Sequence, residues 1–204
     1  MWNRDKDNID VSRLNPQFRY LKIVINGAPL VLALGSIDST PGRDGQAAST
    51  TENWYSASGE LVRIRDGRIV ATSGVEVADW RSTTTGTLPS WQSIAAAPDR
   101  LWFYNRTRDV MPGYHYGLKD AITITPIARP ETKTPLVGVA SEQLAWFRET
   151  GVTTGADDAN KMQAVVYGVN LSRTGNEAVV YLEQCLSATV CLTLQRLPAN
   201  KNAS

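Results

Sequence analysis

A single histidine, His115, and two cysteines are all the imidazole and thiol that the 204 residues contain. One imidazole excludes a His-rich metal site and the two-histidine helix of zinc proteases. No G-x-S-x-G elbow gives His115 a nucleophile to activate. Neither a phosphate-cradling GxxxxGK[ST] loop nor a dinucleotide fingerprint is present. Charge of one sign is also lacking: 21 basic and 20 acidic side chains leave a formal charge of +1. Net charge therefore draws the chain to neither nucleic acid nor an anionic membrane, although a local basic patch is compatible with it. The longest apolar run, "LVLAL" at 30–34, is strand-sized, far short of the ~20 residues of a membrane-spanning helix. The first residues, "MWNRDKDNID", are charged from the outset and lack the apolar core of a signal peptide. Two alternatives follow: a cytosolic protein, or one whose leader precedes this chain.

What is present reads as β-structure. Asn26-Gly27 inside "YLKIVINGAPLVLA" marks a two-residue hairpin turn. That loop pairs Ile25 with Ala28, Ile23 with Leu30 and Leu21 with Leu32, giving one wholly apolar face. Pro29 cannot donate to a ladder, which predicts an edge there. Asp66-Gly67 makes a second hairpin, pairing Arg65 with Arg68, Ile64 with Ile69, Arg63 with Val70 and Val62 with Ala71. Its inner face is Val62, Ile64, Ile69 and Ala71; its outer face carries Arg63, Arg65 and Arg68. Runs at 101–109, 121–128 and 162–171 are strand-like, as are the two flanking the cysteines. "SEQLAWFRETG" predicts a short helix with Ser141 as N-cap and Gly151 just past its end. Residues 10–20 predict a short helix or turn, and 195–204 a tail. Segments 36–53 and 82–90, rich in Ser, Thr, Gly and Pro, read as loops. No composition break divides the chain. The fold class is one all-β domain over 1–204, an antiparallel meander forming a barrel-like or sandwich-like sheet with one or two short helices.

Cys185 and Cys191 flank "LSATV". A hairpin centred on Ala188 sets them opposite each other, where non-hydrogen-bonded pairs bring Cα atoms to about 4.5 Å. That spacing admits a disulfide and with it an oxidising compartment; two buried thiols are the alternative.

Six tryptophans are many for this length: Trp2, Trp54, Trp80, Trp91, Trp102 and Trp146. Trp54 and Tyr55 precede the arginine hairpin, Trp80 and Arg81 follow it, and Tyr114, His115 and Tyr116 lie further on. Flat aromatic faces beside planar guanidiniums suit sugar rings and acidic saccharides. The candidate surface is therefore Trp54, Tyr55, Arg63, Arg65, Arg68, Trp80, Arg81, Tyr114, His115 and Tyr116. The competing reading fills a barrel core with the tryptophans and clothes its outside with the arginines. Arg65 opposite Arg68 costs a few tenths to about 1 kcal/mol unless something offsets the repulsion. The Asp157-Asp158 pair sits in a turn rich in glycine, a place for solvated carboxylates rather than acid–base catalysis.

Three segments resemble a known family. "FRYLKIVINGAPLVLALGSID" followed by "WYSASGELVRIRDGRIVATSGV" is similar to the first half of the YjbF/GfcB (YmcC) family of lipoproteins. There a strand pair ends in an apolar run, and a Trp precedes a Gly-punctuated hairpin. The matching residues are Trp54, Gly59, Asp66, Gly67, Arg68, Ile69, Val70, Thr72 and Gly74. "RDVMPGYHYGLKDAITITPIA" resembles the middle of YjbF-type members. The resemblance spans about 20–140 and implies an outer-membrane lipoprotein facing the periplasm, an accessory of group 4 capsule or exopolysaccharide export. It implies no catalytic residues, no cofactor and no metal. The implied partners are an acidic polysaccharide and periplasmic and outer-membrane barrel proteins, with no nucleic acid. This chain has no lipid-accepting cysteine near its start, so a membrane is met only through an anchor carried upstream. The rival functions are a polysaccharide-modifying enzyme and an acidic-glycan-binding module.

Overall fold

The structure, a computed structural model, describes residue 10 and residues 13–41, 49–75 and 78–198. Twelve strands among them form one antiparallel sheet: β1 (Tyr20–Ile25), β2 (Ala28–Thr40), β3 (Ser49–Ser56), β4 (Leu61–Arg65), β5 (Arg68–Ser73), β6 (Asp79–Thr85), β7 (Trp102–Met111), β8 (His115–Ile127), β9 (Ala145–Thr154), β10 (Val165–Val169), β11 (Val179–Cys185) and β12 (Cys191–Arg196). The order β5-β4-β3-β2-β1-β12-β11-β10-β9-β8-β7-β6 makes every neighbour consecutive in sequence except β12 and β1. The sheet curls into a nearly closed barrel, not a sandwich.

Between β5 and β6 no ladder is formed, and side chains bridge the seam instead. The Asp79 carboxylate accepts from the Thr72 hydroxyl (3.1 Å), Gly74 N–H (3.0 Å) and Val75 N–H (3.2 Å), while Trp80 N–H donates to Thr72 Oγ1 at 3.0 Å. One end of the barrel holds the β4–β5 turn and helix α1 (Trp91–Ala96), whose buried Trp91 and Ile94 plug the mouth. The opposite end is closed by the 186–190 loop, with Leu186 and Val190 buried and Trp80 Nε1–H donating to Leu186 O at 2.9 Å. Among the described residues, apolar side chains from every strand line the barrel's interior and pack into one core.

The first hairpin has the predicted register. Strand β2 is internal, yet Pro29 lies beyond the reach of β3, whose pairing with it begins at Leu32↔Ser56. The proline nitrogen thus meets a local edge. Cys185 pairs with Cys191 as predicted, and they form a disulfide.

Several expectations are corrected. The arginine hairpin keeps Arg65↔Arg68 and Ile64↔Ile69, but an extra residue in β5 shifts the rest to Arg63↔Ala71 and Val62↔Thr72. This bulge turns Thr72 inward, where it serves the seam. Segments 36–53 and 82–90 are not loops throughout: Ser36–Thr40 pairs with Ser49–Asn53, and β6 runs to Thr85. Their β-branched threonines and Ile37 suit an extended, half-exposed ladder. The helix predicted from Ser141 is a 3-10 turn at Ser141–Gln143, followed by β9. Period-two alternation wins there, with Phe147 and Glu149 inside and Arg148 and Thr150 exposed. The α-helix is instead Trp91–Ala96, N-capped by Ser90, whose Oγ accepts from Ser93 N–H at 3.1 Å. Gln195 and Arg196 belong to β12 rather than a tail. At the N-terminus, Arg13 N–H donates to Asp10 O at 3.1 Å, a turn. Trp2 and residues 199–204 lie outside the described residues.

Candidate functional site

Three ionic knots fill the barrel, each tied to strands that alternation aims inward. In the first, Arg68 of β5 is 4% exposed and Glu149 of β9 is 0% exposed. Arg68 Nε donates to Glu149 Oε1 at 2.9 Å, and Nη2 lies 2.8 Å from the same oxygen. The Tyr104 and Tyr167 hydroxyls donate to Oε2 at 3.0 and 2.9 Å. The Arg68 guanidinium also stacks 4.4 Å from the Trp91 ring centroid. Burial opposes its charge, but Glu149 prevails and holds the Arg68 pKa above its ordinary value. Burial, followed by the Glu149 charge, pushes the Tyr104 and Tyr167 hydroxyls up.

In the second knot, Asp120 of β8 accepts from Arg106 Nε and Arg108 Nε, both at 2.8 Å, and from Thr153 Oγ1 at 2.6 Å. Burial raises its pKa, but the Arg108 hydrogen bond, the Arg106 charge and Thr153 together bring it below the ordinary aspartate value. Trp80 lies against both guanidiniums, 4.8 and 5.2 Å from its centroid. In the third, Glu52 of β3 accepts from Arg196 Nη2 at 2.5 Å, Arg19 Nη2 at 2.9 Å and Trp54 Nε1 at 3.1 Å. These carboxylates have their acceptor oxygens taken by fixed donors, the condition under which buried charge is tolerated.

The predicted surface residues accordingly separate. Trp54 and Trp80 are buried inside, so they cannot belong to a surface, and Arg68, 4% exposed, leaves the expected outer arginine face for Glu149 and borders only a small cleft beside Trp91. Arg63 and Arg65 do lie outside. Arg63 Nε donates to Asn53 Oδ1 at 2.8 Å and its Nη2 lies 3.3 Å from Asp38 Oδ2, while Arg65 Nε donates to Thr51 Oγ1 at 3.0 Å. Tyr55 and Arg81 are exposed on β3 and β6. Tyr114, His115 and Tyr116 form the tip of the β7–β8 hairpin, at the barrel end opposite α1. Asp157, read as half of a carboxylate pair, caps a 3-10 turn through Asn160 N–H at 3.0 Å.

The alternation of Tyr104, Arg106 and Arg108 with outward residues was a visible signal for an inward charged stripe, whereas their acidic partners on β8 and β9 had none without the topology. Among the described residues no group of three or more His, Cys, Asp or Glu could hold a metal. Among the described residues, clefts open at the α1 end. One of about 190 Å³ is lined by Arg68, Pro89, Trp91 and Gly175. Another, about 460 Å³, lies between Ala95, Ile127, Trp146 and the Arg129–Glu142 ion pair.

Residues 128–144, between β8 and β9, cross the outside of β11 and β12 as a strap. Gln195 grips it by donating to Val137 O at 2.8 Å and accepting from Val137 N–H at 3.0 Å, and Glu183 accepts from Lys133 N–H at 2.9 Å. Leu136 and Val139 pack there with Trp146, Val180 and Tyr181.

No protein-family model matches the sequence, and no curated protein does so. Among solved structures, the chain is similar to the hypothetical lipoprotein YmcC from Escherichia coli (K12), with a TM-score of 0.57 and 11% sequence identity over 90% of this chain and 85% of that one. In fold, the twelve-stranded barrel is similar to YmcC, in keeping with the family that the three segments over about 20–140 resemble.

Proposed function

We propose that this protein is a non-enzymatic, lipid-anchored protein on the periplasmic side of the outer membrane that assists the assembly or export of an extracellular polysaccharide, whether capsule or exopolysaccharide. The observation that carries the proposal is the shared fold with a hypothetical lipoprotein over nine-tenths of the chain. The Cys185–Cys191 disulfide supports an oxidising compartment. The interior supports an accessory role: its carboxylates are engaged by arginines, tyrosines and Trp54 and lie away from solvent.

Deleting the gene and measuring secreted polysaccharide tests the role. Export falls on deletion and returns with the native gene; unchanged export would discard the proposal. Fractionation tests the anchor: the native precursor is expected in outer-membrane fractions and to incorporate labelled palmitate.

A further inference from the structure

The β7–β8 hairpin ends in two tyrosines that the fold does not use. Tyr114 is 71% exposed and Tyr116 63% exposed, with ring centroids 6.2 Å apart at an interplanar angle of 49°. The tip is braced rather than loose. Gly117 N–H donates to Asp109 Oδ1 at 2.8 Å, and the other oxygen of Asp109 accepts from Ser82 on β6 at 2.8 Å. The His115 ring lies so close to Gly113 that a Cβ there would come within 2.5 Å of its Nε2. Tyr114 is held at φ +56°, a left-handed conformation that a bulky residue adopts only when its surroundings impose it. A braced backbone therefore presents two adjacent aromatic faces to solvent.

We infer that this tip is a carbohydrate-stacking site, with Tyr114 and Tyr116 forming a tilted aromatic platform for the apolar face of a pyranose ring and their hydroxyls and His115 bonding to the sugar hydroxyls. The chemistry favours a sugar over a lipid. The anchoring pattern of an interfacial segment, long aliphatics ringed by Lys and Arg, is missing from "MPGYHYG". Position agrees: β1 begins at the α1 end, whereas the tip projects from the other. The site rests on the proposed role in polysaccharide export and names its contact with the glycan. It also moves that contact away from Arg63 and Arg65, whose guanidiniums are engaged by Asn53, Asp38 and Thr51.

The test is affinity electrophoresis of the full chain through native gels containing dextran, xanthan or alginate. Wild type is retarded by at least one polymer. Tyr114→Ala/Tyr116→Ala weakens that retardation on the order of tenfold, as expected for losing two stacking partners, with circular dichroism and melting unchanged. Tyr114→Phe/Tyr116→Phe keeps most of it. No retardation by any polymer overturns the site, as does equal retardation of the alanine variant, or loss in Arg63→Gln/Arg65→Gln instead. The two proposals fail separately. Glycan binding with export independent of the gene sinks the role and leaves the site; export that needs the gene while binding ignores the tyrosines sinks the site alone.

Discussion

Arg68 and Glu149 stand 81 residues apart in sequence and meet inside the barrel at 2.9 Å, joining β5 at the open seam to β9 on another wall. This pair does what the missing β5–β6 ladder cannot: it ties the sheet's free end to the body of the barrel. Removing one partner leaves a buried charge unanswered, which typically costs about 3–5 kcal/mol. Arg68→Met and Glu149→Leu alone are expected to lower urea stability by that amount, and the double variant to recover most of it. Single variants within about 1 kcal/mol of wild type would contradict the tie.

The alkaline limb reports on buried phenols. Tyr104, Tyr167 and Tyr181 all have pKa values raised by burial. A raised folded pKa means that the native state holds protons which the unfolded chain releases above about pH 10. Stability is whole below that value and declines as the pH climbs from it toward the folded pKa. Absorbance titration should show these three ionising only with unfolding. Seven phenols titrating together near pH 10 before any loss of circular dichroism would refute it.

The acid limb reports on Asp120, whose folded pKa lies below its ordinary value once the arginines and Thr153 have overcome burial. Its contribution is complete above about pH 4 and drains as the pH falls through the folded value. Asp120→Asn should start less stable at pH 7 and lose less between about pH 4 and 2. Parallel pH profiles for the two proteins would show that the knot carries no such linkage.

Cys185 and Cys191 close a short loop, with a sequence separation of 6. Chain-entropy reasoning assigns such a closure roughly 2 kcal/mol. Reduction, or Cys185→Ser/Cys191→Ser, should lower stability by about that much with the fold retained. Two thiols reactive in the oxidised native protein would overturn the pairing.

Gly67 sits at φ +73°, and a Cβ there would fall 2.2 Å from Val179 Cγ2. Gly67→Ala is expected to cost at least about 2 kcal/mol by adding a left-handed penalty to a clash. Val179→Ala in the same chain should relieve the steric part, so denaturation of the double variant should show a coupling energy. Simple additivity would mean that the turn moves aside.

Local chemistry was legible, and long-range chemistry was not. Asn26-Gly27, Asp66-Gly67 and the two cysteines each announced a hairpin because turn type and register are set within a few residues. The resemblance carried by the three segments over about 20–140 pointed to the fold that the YmcC structure shares. By contrast, Arg68 looked like a surface residue because its partner lies 81 positions away, and no local pattern announces such a partner. The stretch from Ser141 carried a capping residue and a terminal glycine, yet alternation of Phe147 and Glu149 against Arg148 and Thr150 decided for a strand. The threonine-rich segments around β2, β3 and β6 read as loops by composition, and only pairing partners made them strands. As for the candidate surface, aromatic and basic residues are equally at home in a core and on a glycan platform. Burial separated Trp54 and Trp80 from Tyr114 and Tyr116.

The pairing of β12 with β1 sets an order of events for a growing chain. The first strand has one permanent neighbour within reach from the start and must keep its other edge open until the last strand emerges. Five N-terminal strands therefore wait as half a sheet with an unguarded flank, and such edges invite pairing with other chains. A protein built this way gains from folding only after its whole length is free, and from being shielded until then. Joining the present termini and cutting between β5 and β6 would reverse that: a permuted chain would lay down its strands one after another in spatial order and leave no flank waiting.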